Sequence, residues 1–67
     1  MITLTAPIRD TRILFYRRDA IEVCRYTSLD IQVVGSLWVE AWASAGDIET
    51  LKLNNWWFDI LVAPIAA

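Results

Sequence analysis

Sixty-seven residues with a net charge of −2, a single cysteine and no histidine restrict the possibilities before any pattern is considered. A chain of this length holds one core, so residues 1–67 are expected to form a single domain. Cys24 alone cannot form an intrachain disulfide, and without histidine no His/Cys zinc site can be built. No cofactor is indicated, and association with a partner is left as the usual way to stabilise so small a scaffold.

Ile2, Leu4, Ala6 and Ile8 alternate with Thr3, Thr5, Pro7 and Arg9, the period of a strand with one buried face. Pro7 cannot donate to a ladder, so this is an edge strand or a strand end, and Ile2 and Leu4 become candidates for pairing with another chain. Arg12 to Arg17 is β-branched and aromatic enough for a second strand, and Arg18-Asp19 reads as a turn. Ala20 to Thr27 places Ile21 and Val23 opposite Glu22, Cys24 and Tyr26, so the two segments are expected to pair as a hairpin. Cys24 is expected to be a buried small side chain, since no histidine exists to act as its base.

The next run is long. Ile31, Val33, Gly35, Leu37, Val39, Ala41 and Ala43 are apolar or small at every second position, and a bend or bulge is expected near Gly35, where a missing side chain lets a strand turn a corner. A helix over 29–45, bracketed by Ser28 and Gly46, is the rival reading. Its apolar positions would cover nearly the whole circumference, which a chain this small cannot surround. Ser44 to Asp47 reads as a turn. Beyond it, a helix within 48–62 competes with a strand pair that uses Leu51 and Leu53, breaks at Asn54-Asn55 and resumes through Trp56, Phe58, Ile60 and Val62 before Pro64. The strand pair fits the composition better. The fold expected is therefore mostly β, a small antiparallel barrel or sandwich of the SH3-like or OB-like kind with five to six strands, and the alternative is α+β with a helix in 29–45 or 48–62.

Hydrophobic residues make up 57% of the chain, against about 45–50% in typical soluble domains, which places some apolar surface at an interface. The longest uncharged stretches are too short for a membrane-spanning helix, and the first residues lack a signal-like basic flank. The setting expected is the cytoplasm or an assembled particle. Trp38 and Trp42 flank Glu40 on the face opposite Val33, Leu37 and Val39, and with Trp57 they are the candidate protein interface; Trp56 and Phe58 are assigned to the core. Arg12, Arg17, Arg18 and Arg25, interleaved with Phe15, Tyr16 and Tyr26, are candidate phosphate contacts. Asp10, Asp19, Glu22 and the acidic balance oppose general nucleic-acid affinity.

No catalytic residues are assigned, because histidine and a Gly-rich phosphate loop are both absent and Cys24 has no base. The function expected is that of a non-enzymatic structural or assembly protein, packing into a larger homo- or hetero-oligomeric complex, with a virion or similar particle as one setting. The alternatives are a small inhibitor or adaptor docking a target through its tryptophans, and a nucleic-acid-binding small barrel.

Overall fold

β1 (Arg9–Tyr16) and β3 (Trp38–Ser44) form the centre of the sheet because each carries an every-other-residue apolar or small series that can be buried on one side. In the computed structural model, which describes residues 8–64, the two strands run antiparallel. Ile13 faces Ala41 and Phe15 faces Val39 across the ladder, and all four are buried. β4 (Phe58–Val62) adds to the free side of β1, and β2 (Asp30–Val34) adds to the free side of β3, both antiparallel. The resulting sheet has the order β2-β3-β1-β4, and among the described residues it is open, with β2 and β4 as its edges.

Two helices complete the chain: α1 (Ala20–Tyr26) between β1 and β2, and α2 (Ala45–Leu53) between β3 and β4. Element order and strand order together give the connectivity of two interlocked split β-α-β units. Both helices cover the same side of the sheet. Val23 from α1 and Leu51 from α2 are buried in one cluster with Ile13, Phe15, Val39, Ala41 and Ala43, and Ala20, Leu29, Ile48, Trp56 and Phe58 pack around it. The short side chains at 41 and 43 leave room above the central strands for the helices to approach.

The sequence-based fold class holds only in its coarse form, mostly β with some helix. Among the described residues four strands are present instead of five or six, and they close no barrel. The proposed hairpin between Arg12–Arg17 and Ala20–Thr27 fails for a physical reason. β1 is paired with β3 on one side and β4 on the other, so no ladder remains for a third partner. Residues 20–26 instead coil, entered through a 3₁₀ turn at Arg17–Asp19, and the Thr27 hydroxyl donates to the Val23 carbonyl at 2.7 Å at the far end. In a helix with one buried side chain, Cys24 faces solvent, so its assignment to the interior is also corrected.

The long run from Ile31 does interrupt at Gly35, but as a reversal between two strands and not as a bend within one. The Gly35 N–H donates to the Trp38 carbonyl at 2.8 Å, and a Cβ at 35 would stand only 3.1 Å from that same oxygen, which explains the glycine. Residues 30–34 and 38–44 are strand, against the helix considered for 29–45. Ser44 to Asp47 is no turn. Ser44 is the N-cap of α2, its hydroxyl accepting from the Asp47 N–H at 3.2 Å while the Asp47 carboxylate accepts from the Ser44 N–H at 3.0 Å. The helix considered for 48–62 therefore exists only in its first part, and Leu51 and Leu53 lie on it instead of on a strand. The break at Asn54-Asn55 stands, with Asn55 in the left-handed region at φ 56°. The edge strand read at Ile2 and Leu4 lies outside the described residues.

Candidate interaction surface

One face of the sheet is covered by the helices; no element among the described residues covers the other. The strand period sends Arg12, Leu14 and Tyr16 from β1 and Trp38, Glu40 and Trp42 from β3 to this open side. The register brings Asp30 beside Trp42, Val33 beside Glu40 and Asp59 beside Leu14. Val33 thus shares the face of Glu40 and not that of Val39, because a register shift between Ile31 and Val33 turns β2 over.

The aromatic side chains gather at one end of this face. Tyr16 stacks on Trp38 with ring centroids 4.9 Å apart, Trp57 packs on Tyr16 at the same distance, and Trp38 and Trp57 are 5.6 Å apart. Trp57 precedes β4 in the chain, yet its ring closes the group over Tyr16, and Trp38 and Trp57 remain 39% and 44% exposed. The other end is polar and internally paired. The Arg12 guanidinium meets the Glu40 carboxylate at 3.1 Å and lies 5.5 Å from the Trp42 ring centre.

The four arginines singled out as phosphate contacts separate on this geometry. Arg12 is engaged by Glu40, and Arg25 by Glu22 at 3.3 Å on the exposed side of α1. Among the described residues no carboxylate lies within 4.0 Å of Arg17 or Arg18. The Arg18 guanidinium is 4.6 Å from the Tyr16 ring centre. Next to it a groove of about 590 Å³ is lined by Tyr16, Arg17, Arg18, Ile21, Ser36, Leu37 and Trp38. Sequence reasoning placed neither Ile21 nor Leu37 in a site, because it put both on buried strand faces; they are 74% and 68% exposed.

Trp38 and Trp57, two of the three tryptophans assigned to an interface, therefore stand together, and Trp42 lies half-buried on the same face toward the opposite end. Trp56 and Phe58 pack against the core as expected. No group of three or more Cys, Asp or Glu residues able to hold a metal ion is present among the described residues, and no helix there is long and apolar enough to cross a membrane. No protein-family model, no curated protein and no solved structure matches the chain.

Proposed function

We propose that this chain is a non-enzymatic assembly module that packs into a larger homo- or hetero-oligomeric complex through the open face of its sheet. The observation that carries this reading is the joined group of Tyr16, Trp38 and Trp57 on a sheet face that no described element covers. Scattered exposed apolar residues are normal on any protein, whereas a continuous apolar patch signals docking. Here the patch continues onto both edges. Val33 on β2 and Val62 on β4, registered with Glu40 and Arg12, are exposed on this same face, and among the described residues each strand has a neighbour on one side only. Aromatic anchors in the middle of a contact and free edges at its margins are features that protein interfaces use.

The test replaces Trp42 with a photo-crosslinking phenylalanine derivative and, in a second protein, replaces Glu49 on the exposed side of α2 with the same group. Each is irradiated in native extract of the source cells. Efficient crosslinking from position 42 and little from 49 is the expected outcome. Equal yields from both positions, or none from 42, overturn the reading. Light scattering then separates the two forms of assembly, since a homo-oligomer forms from purified chain alone.

A further inference from the structure

We infer that the groove beside Arg17 and Arg18 receives an acidic segment of a partner protein, inserting an apolar side chain between Ile21, Leu37 and Trp38 while flanking carboxylates meet the two guanidinium groups. This rests on the assembly reading above and specifies the chemistry of one contact within it.

Three observations select that ligand. The groove, about 590 Å³, lies within the size range of ligand sites and is large enough for apolar side chains to enter, and its walls are mainly hydrocarbon from Ile21, Leu37 and the Trp38 ring. Both arginines at its rim lack a carboxylate among the described residues, whereas Arg12 and Arg25 each have one. Arg18 is held against the Tyr16 ring, and this contact presents its planar fork at a defined place instead of leaving it free to wander. A hydrocarbon surface flanked by two positive charges with no carboxylate partner among the described residues, one of them held against a ring, is complementary to an apolar residue with acidic neighbours.

Single-stranded nucleic acid is the competing ligand for arginines beside aromatic rings, and the geometry argues against it. Stacking successive bases needs several open ring faces, but the Tyr16 ring is in contact with Trp38, Trp57 and Arg18, which leaves Trp38 as the one further ring lining the groove. Ile21 and Leu37 offer no ring at all. A phosphate backbone continuing across the sheet from the groove would also approach the carboxylates of Asp59 and Asp30, which have no ion-pair partner among the described residues, where like charge repels it.

Fluorescence anisotropy of a labelled synthetic peptide, Glu-Asp-Glu-Leu-Phe-Glu-Asp-Glu, tests this on the full chain. A peptide with lysine in place of every acid and an oligothymidylate serve as comparison probes. The acidic peptide is expected to bind, to weaken as salt is raised, and to lose about tenfold in affinity with the Arg17→Ala, Arg18→Ala double variant. Leu37→Ser, at an exposed position, should weaken it by a similar factor, and Arg25→Ala should leave it unchanged. Circular dichroism confirms that each variant keeps its fold.

Equal affinity for the lysine peptide, tighter binding of the oligothymidylate, or an equal loss with Arg25→Ala each overturns the inference. So does self-association of the purified chain that disappears in the Arg17→Ala, Arg18→Ala variant, because the groove is then filled by a second copy. The crosslink from position 42 is read separately, so failure of the peptide leaves the assembly reading standing.

Discussion

The Asp47 carboxylate accepts a hydrogen bond from the Ser28 N–H at 3.0 Å, joining the first turn of α2 to the segment that leads into β2. The same side chain accepts from the Ser44 N–H, and it is buried, so one carboxylate holds two backbone donors from different parts of the chain. Burial alone would raise its pKa. The N–H groups of Ser28 and Ser44, with the hydroxyls of both serines, outweigh that effect and hold the carboxyl below its ordinary 3.8.

Replacing Asp47 with alanine removes the acceptor and leaves both N–H groups without it, which should cost about 2–3 kcal/mol in urea denaturation. A core this small rarely supplies more than about 3–5 kcal/mol, so a loss of that size raises the unfolded population substantially. The sign of the pH dependence follows from the lowered pKa. The unfolded chain binds this proton more tightly, so the stabilisation from Asp47 is complete above the unfolded value near 3.8 and is lost as pH falls through the lower folded value. The Asp47→Asn variant should therefore lose less stability than the parent between pH 4 and pH 2. An acid limb identical to that of the parent would remove this role.

Leu51 is the side chain through which α2 is anchored to the core, being fully buried while Leu53 on the same helix is 80% exposed. Leu51→Ala should cost about 2–5 kcal/mol, enough to leave little folded protein, and Leu53→Ala under about 0.5 kcal/mol. Thermal and urea unfolding of the pair measure the contrast. Equal effects would mean that α2 packs by another face.

The same contrast explains what was legible in the sequence. β1 and β3 are central, so each must bury one face, and the alternation at Ile13 and Phe15 and at Val39, Ala41 and Ala43 records that demand. The helices leave a weaker trace. α1 buries Val23 alone, so Ile21 and Val23 look like a strand face, although Ile21 lines the groove at the surface. α2 buries Leu51 and Asp47 with Ile48 packed beside them, a single i,i+3 apolar pair too short to read as a period. Its start was nonetheless encoded, since Ser44 followed three residues later by Asp47 is a capping-box spacing, masked in composition by Gly46 between them. On the open face, the places of Trp38 and Trp42 followed from strand period, and their setting did not. That Trp57 would join Trp38 depends on β4 pairing with β1, a long-range choice that no local pattern carries.

Asn55 closes α2 with φ 56°, and the N–H groups of Asn55 and Trp56 donate to the carbonyls of Lys52 and Leu51 at 3.1 Å each. This is the position where a helix end is satisfied by a left-handed residue. Asn55→Gly should keep the turn at little cost or with a small gain, whereas Asn55→Val, with a branched side chain forced into the left-handed region, should cost about 1–2 kcal/mol. Chemical denaturation of both variants provides the check, and a valine variant as stable as the parent would show that the chain leaves α2 by another route.

Cys24 offers a test of the helix at 20–26 that needs no substitution. On α1 its thiol is exposed, whereas on the strand that the sequence suggested it would be buried. A buried thiol reacts only when the structure opens, and an opening free energy of about 3 kcal/mol slows reaction by roughly a hundredfold. An exposed one reacts at nearly the rate of an unfolded peptide. Native protein mixed with Ellman's reagent should therefore react within a few-fold of the same protein in urea, after correction for the solvent. The same exposure means that, in air, disulfide-linked dimers will form through Cys24, so an oligomer that disappears on reduction would report this thiol and not the open face of the sheet.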